Sequence, residues 1–305
     1  MTTTRREVLT SAGAAATLAT LPTVPAWAVA SDGTRRIPAT GEVVPAVGLG
    51  TWITFNVGRD PELLQRSTAV MRAFFEEGGG VIDSSPMYGS AQATLGHGLG
   101  ELGRPQALFA ADKVWTGDPS EGWEQIEETR RLWGIERFDL LQVHNLVEWR
   151  AHLETLTAMK AEGRLRHIGV TTSHGRRHGE LARIMEREPI DFVQLTYNAA
   201  DREAEARLLP LAAERGIGVI VNRPYRRGGL IDRTRGAPLP GFATEIGAGS
   251  WAQLLLAFVL SHPAVTVAIP ATTRPEHVRE NKAVARGPMP DPALRRRIAD
   301  AVAAL

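Results

Sequence analysis

Four titratable side chains stand at or just past the ends of three short apolar runs. Asp83 lies in GVIDS (80–84), Lys113 closes ALFAADK (107–113), His144 closes FDLLQVH (138–144), and Tyr88 follows Asp83 by five residues. An apolar strand that delivers a carboxylate and then a phenol into a loop has two explanations. Either Asp83 caps the next helix and Tyr88 merely packs, or the pair belong to a reactive site. The residue types suit proton transfer to a carbonyl oxygen. A free tyrosine titrates near about 10, too high for easy donation and return at neutral pH. An ammonium such as Lys113 beside it stabilises the phenolate and lowers that value. A buried lysine needs a counter-charge, which Asp83 can supply, and a neutral histidine can donate an N–H that orients the substrate oxygen. Singly, each residue has a plain structural use. Together, at consecutive strand ends, they point to a site. Nothing in the set is redox-active and no metal-ligand spacing appears, so hydride must come from a cofactor.

The elements that would position these groups alternate strictly. Apolar runs at 46–51, 80–84, 107–113, 138–144, 167–172, 192–197, 217–222 and 265–270 predict eight strands covered on both faces. Amphipathic stretches at 60–78, 91–102, 120–133, 151–162, 178–187, 203–215, 250–261 and 275–285 predict eight helices, several stopped by Gly, and DPALRRRIADAVAAL predicts one more across the outside. Eight β/α units over roughly 250 residues predict an α/β fold, the closed (β/α)8 TIM barrel. An open doubly wound sheet is the runner-up, but no G-x-G-x-x-G follows the first strand. Active-site residues of this barrel cluster at the C-terminal strand ends. Thr171, Thr172, Gln194, Asn222, Arg223 and the 270–273 segment fall there too.

The bulk numbers fit. The chain has 305 residues, 43% hydrophobic, with formal net charge +1 and no cysteine. Near-balanced charge makes nucleic acid an unexpected partner, and no disulfide or thiolate zinc site can form. Residues 1–30 read differently: Arg5-Arg6, a mildly apolar run, then Ala26-Trp27-Ala28 or Ala28-Val29-Ala30 as an A-x-A cleavage site. This order resembles a twin-arginine export signal. It implies the twin-arginine machinery as a partner and an extracytoplasmic destination, with residues 31–305 as one barrel domain.

IDSSPMYGSAQATLGHGL resembles the most specific motif of the aldo/keto reductase family, an Asp-then-Tyr-Gly block leading into a helix. ADKVW and LLQVHN resemble that family's lysine and histidine strands. The likeness covers about residues 36–285. It implies an (α/β)8 barrel that binds NADP(H) in extended form without a Rossmann motif and interconverts a carbonyl and an alcohol. Asp83, Tyr88, Lys113 and His144 would be the catalytic tetrad, with Tyr88 as general acid and base. VQLTYN resembles the strand whose Gln, here Gln194, contacts the nicotinamide carboxamide. IPATTRPEHVREN resembles the segment around the adenosine phosphate and ends in Glu280-Asn281.

Several positions depart from the family pattern. Thr171-Thr172 stands for Ser-Asn, and Asn222 for a stacking aromatic. Ala271-Thr272 stands for the Lys-Ser pair that holds a 2′-phosphate, and His277 for an arginine, with Arg274 as a substitute. Arg223, Arg226 or Arg227 would clamp the pyrophosphate. The cofactor expected is NADP(H), with NAD(H) the alternative, and Trp52 and Trp115 are expected to wall the substrate pocket. Two other readings of the same residues are a non-catalytic nucleotide-binding subunit or sensor on this fold, and a Schiff-base aldolase using Lys113.

Overall fold

The computed structural model describes residues 32–305; the export-signal expectation for residues 1–30 lies outside them. The described chain opens with an antiparallel hairpin, β1 (Thr34–Arg36) and β2 (Val43–Pro45). Eight parallel strands follow: β3 (Leu49–Gly50), β4 (Gly80–Asp83), β5 (Leu108–Val114), β6 (Phe138–Val143), β7 (Leu165–Thr171), β8 (Phe192–Thr196), β9 (Gly218–Asn222) and β10 (Val267–Ala268). Each pairs with its neighbour in sequence order. The outer strands then meet, with Val47 bridging Ala268 and Gly50 bridging Ala271 in parallel. The sheet is therefore a closed barrel, as the alternation predicts.

Helices α1 (Pro61–Glu76), α2 (Ala91–Glu101), α3 (Gly122–Trp133), α4 (Trp149–Ala161), α5 (His178–Arg187) and α6 (Leu208–Arg215) return the chain between successive strands. After β9 come α7 (Gly229–Thr234) and α8 (Trp251–Leu260), and after β10 come α9 (Pro275–Arg286) and α10 (Pro292–Ala303). The differences from expectation have local causes. The hairpin and α7 are too short for periodicity to reveal. The stretch expected as one helix over 203–215 splits at Arg207, whose φ of −143° is not helical. The eighth ladder stops at Ala268, where Pro270 soon removes an amide donor.

The hairpin plugs the barrel. Its Ile37 and Val44 join an interior cluster with Phe109, Ala111, Leu140 and Phe192. Arg35 is buried and gives its guanidinium to the carbonyls of Leu260, His262 and Pro263 just past α8, where a cation complements the helix dipole. Strand alternation sorts the rest. In β5, Phe109 and Ala111 face the interior, while Ala110 and Val114 join the outer core under the helices. Lys113 therefore points inward and Asp112 outward.

Helices α2 and α3 pack with almost no gap at Gly96, where an added Cβ would lie 1.7 Å from the Leu132 carbonyl oxygen. No rotamer relieves a clash with backbone, so the two helices must part. Gly96→Ala is expected to destabilise the barrel by about 1–3 kcal/mol, read as a lower urea midpoint. An unchanged midpoint would mean that the two helices are free to separate.

Candidate active site

Backbone strain marks one face of the barrel. Among the described residues ten non-glycine positions adopt positive φ, and all but Arg104 lie in loops after strand C-termini. They are Ile53 after β3, Asn145, Leu146 and Glu148 after β6, His174 and Arg177 after β7, and Arg223, Arg226 and Arg227 after β9. Such conformations cost of order 1–3 kcal/mol each and cluster at functional sites.

Under that face a buried ion pair forms the floor. The Lys113 ammonium donates to Asp83 Oδ2 at 2.6 Å and to the Ser84 carbonyl at 2.7 Å, and both side chains are essentially solvent-free. Asp83 Oδ1 accepts from Gln194 Nε2 at 2.7 Å and Gln142 Nε2 at 3.3 Å. The Thr51 hydroxyl lies 2.9 Å from both Asp83 O and Ser84 Oγ. Asp83 is thus no helix cap, because its carboxylate is committed to the barrel interior. The following turn, Pro86–Tyr88, is capped instead by Ser85, whose Oγ accepts the Met87 amide at 3.2 Å.

Tyr88 ends that turn, its ring centre 5.2 Å from Lys113 Nζ and edge-on to His144 at 5.7 Å. The next residue must be glycine. Gly89 has φ 62° and ψ −124°, and a Cβ there would meet Asn56 Oδ1 at 2.4 Å. His144 follows β6 directly, and its Nδ1 lies 2.7 Å from Ser85 Oγ.

The same dryness moves the neutral groups apart from the charged ones. Burial pushes the Tyr88 phenol up to about 12; Lys113 pulls it down and Asp83 raises it further. This corrects the expectation that Lys113 brings the phenol below its free value. The lysine acts in the expected direction but burial outweighs it, although solvent at the half-buried ring moderates the rise. Burial drives His144 down to about 2, helped by the Lys113 charge, so its imidazole is neutral. Burial alone would depress Lys113, but Asp83 and then Tyr88 more than offset it and the ammonium is held above its usual range. A cation so held has no lone pair for a carbonyl, which disfavours the Schiff-base reading. Burial raises Asp112, on the outward face, to about 7 against the pull of Lys113.

The residues expected around a nucleotide divide into two groups. Near the ion pair, Gln194 spends its amide on Asp83 and on Asn222 Nδ2 at 3.4 Å. Asn222 also donates to Thr172 O at 2.9 Å and accepts from Thr196 Oγ1 at 2.7 Å, so it ties three strand ends together. Thr171 Oγ1 accepts the Asn145 amide at 3.1 Å. Thr172 Oγ1 is buried without a partner, and an orphaned hydroxyl at this rim suits a ligand amide.

Farther round, Arg226 pairs with Asp201 at 3.3 Å, Arg223 Nε is buried and unpartnered, and Arg227 stacks on Trp52 at 4.1 Å. Thr272 Oγ1 accepts the Arg274 amide at 3.1 Å, and Asn281 Oδ1 accepts the Tyr225 hydroxyl at 2.9 Å. Arg274 and Glu280 are exposed on or beside α9, away from the tetrad's hydrogen bonds; Arg274 reaches Glu276 at 3.7 Å. Trp115 is exposed at the rim, its backbone pinned by Gln125.

Sequence reading missed Thr51, Ser85, Gln142 and Tyr225. Gln142 was findable: it precedes His144 by two residues, hence shares its strand face. Ser85 has a testable part. Its oxygen accepts the Met87 amide and lies 2.7 Å from His144 Nδ1; a hydroxyl that donates to Nδ1 would leave the ring proton on Nε2. Ser85→Ala is expected to cost about tenfold in kcat/KM, the size of one net hydrogen bond, with the fold intact. Unchanged kcat/KM would assign the ring's orientation to packing alone.

The chain resembles known proteins along most of its length. Residues 46–296 match the model of the aldo/keto reductase family. The methylglyoxal reductase YeaE of Escherichia coli K12 is 30% identical over 264 residues, which is 82% of this chain and 89% of that protein. The crystal structure of an aldo/keto reductase from Klebsiella pneumoniae, in complex with NADP and acetate, aligns with TM-score 0.73 and 25% identity over 86% of this chain and 93% of that one. The glycerol dehydrogenase of Gluconobacter oxydans shares the fold, with TM-score 0.74 at 22% identity over 90% of this chain and 96% of that one.

Proposed function

The chain belongs to the aldo/keto reductase family and is an oxidoreductase of that type; from this we propose that it interconverts an aldehyde or ketone and an alcohol with NADP(H), Tyr88 acting as general acid and base. The observation that carries the reading is the dry Asp83–Lys113 pair beneath a phenol, beside an imidazole that stays neutral. A substrate carbonyl oxygen would accept hydrogen bonds from the Tyr88 hydroxyl and His144. As the oxygen gains charge, the phenol O–H breaks and the proton moves to it. The phenolate left behind is stabilised by Lys113, whose own charge is balanced by Asp83. Oxidation runs the same path backwards. NADPH, when bound, supplies the hydride.

By similarity, Thr171, Thr172, Gln194 and Asn222 would hold the nicotinamide end, Arg223 and Arg226 the pyrophosphate, and Thr272, Arg274, Glu280 and Asn281 the adenosine end. The unpartnered Thr172 hydroxyl supports the first group. The NADP in the Klebsiella pneumoniae relative supports NADP over NAD. Turnover of a carbonyl panel that includes methylglyoxal, followed with NADPH and with NADH, tests the reading. No oxidation of either nucleotide by a folded protein that binds neither would sink it.

Tyr88→Phe is expected to lose about 10²–10⁴-fold in turnover, with NADPH affinity unchanged in a fluorescence titration. The pH dependence has a definite sign. A raised phenol stays protonated, so reduction should be flat through neutral pH, while oxidation, which needs phenolate, should climb as pH rises. Lys113→Met removes the charge that opposes burial, pushes the phenol higher and should slow oxidation more than reduction at about pH 9. Oxidation independent of pH would place the proton elsewhere.

We propose in addition that residues 1–30 direct export of the folded, cofactor-loaded protein by the twin-arginine route, because Arg5-Arg6, an apolar run and an A-x-A site occur in that order. Cell fractionation of the native chain and an Arg5→Lys, Arg6→Lys variant tests this. A native chain that stays cytoplasmic with residues 1–30 attached would refute it.

A further inference from the structure

Proton transfer through Tyr88 makes no use of a second carboxyl that lies directly behind Lys113. Asp112 is wholly buried on the outward face of β5, beneath α2 and α3. Its Oδ1 accepts the Lys113 backbone amide at 2.7 Å, and its Oδ2 accepts Gln92 Nε2 at 2.8 Å. Gln92 also reaches Thr129 Oγ1 of α3 at 3.2 Å. All three side chains are at most 5% exposed.

A carboxyl in this layer is expensive to bury. Its outward neighbours on the strand, Ala110 and Val114, show what the layer otherwise holds. What Asp112 provides is a connection. Gln92 is the second residue of α2 and follows Tyr88 by four residues. The Asp112–Gln92 bond therefore joins the strand that carries Lys113 to the helix that begins just after Tyr88. The residue before that helix is also held at the surface, where Ser90 N donates to Asn56 Oδ1 at 2.9 Å.

We infer that Asp112 and Gln92 are positioning residues, a clamp that sets Tyr88 at its working distance from the Lys113 ammonium. The inference rests on the proton-transfer reading of Tyr88. Neither residue touches substrate, cofactor or the reacting oxygen. They act through the geometry of the pair, and a displacement of about 1 Å at such a site costs up to about 10²-fold in rate.

The test uses the full chain with NADPH and a carbonyl substrate that the wild type reduces. Gln92→Leu removes the bond, and Asp112→Asn keeps the volume but sets an amide nitrogen or a neutral oxygen against Gln92. Each should lower the single-turnover rate by about 10–100-fold and leave NADPH affinity unchanged. Gln92→Leu should also move the alkaline limb of kcat/KM upward, in the same direction as Lys113→Met, because a more distant ammonium supports the phenolate less; Asp112→Asn also removes a charge that raises the phenol, so it is read by rate and affinity alone. The double variant should be no worse than the poorer single one, since both cut one connection.

A merely structural role would lower the melting temperature and leave the rate and the limb of the folded protein where they were. That result in Gln92→Leu overturns the inference. If Gln92→Leu does not fold, the near-isosteric Asp112→Asn decides by its single-turnover rate against its NADPH affinity: an unchanged rate in the folded variant overturns the inference. Tyr88→Phe is the control. If it keeps turnover, the proton-transfer reading falls; if it is dead while Gln92→Leu and Asp112→Asn are normal, the clamp alone falls.

Discussion

The Asp83–Lys113 pair is the constraint that the rest of this barrel answers to. Two charges out of water cost several kcal/mol each, and their attraction repays this only when the remaining donors and acceptors are satisfied. Here the satisfaction is distributed around the ring. Asp83 comes from β4, Lys113 from β5, Gln142 from β6 and Gln194 from β8. In an open sheet β4 and β8 would stand four strands apart. Only a closed barrel lets Gln194 and Gln142 converge on one carboxylate oxygen. The ion pair needs the closure at Val47 and Ala268, and the closed interior, lined largely by apolar side chains, tolerates the pair only because these amides reach it.

One physical cause then sets three protonation states. Low dielectric penalises whatever charge lacks a partner. Lys113 has Asp83 beside it and stays charged. Tyr88 and His144 have no opposite charge of their own, so the phenol is pushed up and the imidazole down. In the proposed reaction the phenol would be the group that gives up its proton, because the cation near its ring is the fixed Lys113 ammonium. Burial sets the resting state, and on the proposed mechanism Lys113 would act mainly on the phenolate that forms during turnover. That division is what a general acid and base requires, and it explains why an elevated resting value is compatible with proton transfer.

The sequence made the tetrad and the barrel visible for the same reason. Period-two burial puts a polar residue at the end of an apolar run only where something answers it, so Asp83, Lys113 and His144 stood out without any three-dimensional knowledge. The partners were hidden because they are distant in sequence. Gln194 lies 111 residues from Asp83, and Ser85 lies 59 from His144. No local pattern encodes which buried amide turns to which carboxylate. The hairpin plug and α7 were hidden by shortness, and Asp112 by its neighbour, since the more conspicuous Lys113 drew the reading of that strand. The sign of the Tyr88 shift was missed because local sequence names the charges around a group but not how much water surrounds it.

The two sides of the rim solve opposite electrostatic problems. Over β4 and β5 the buried charges at the floor, Asp83 and Lys113, are paired with each other. Over β7 and β9, Arg223 is held below its usual range first by burial and then by Arg227, with Arg226 and Arg176 adding to it; Asp201 alone pulls the other way. Arg223, Arg226 and Arg227 also sit at positive φ, so the loop bears backbone strain and charge repulsion together. Asp201 answers Arg226 and the Trp52 ring answers Arg227, but Arg223 Nε is left buried without a partner among the described residues. An anion set among these guanidiniums would relieve the repulsion and give the strained loop a reason for its shape, since planar forks meet phosphate oxygens with two bonds each. Arg227, 4.1 Å over the Trp52 ring, then links this cationic half to the tryptophan beside the dry half. In the proposed binding mode the reactive ring of the dinucleotide would rest against the Asp83–Lys113 pair and its phosphates among these arginines, the same division of charge that the rim displays.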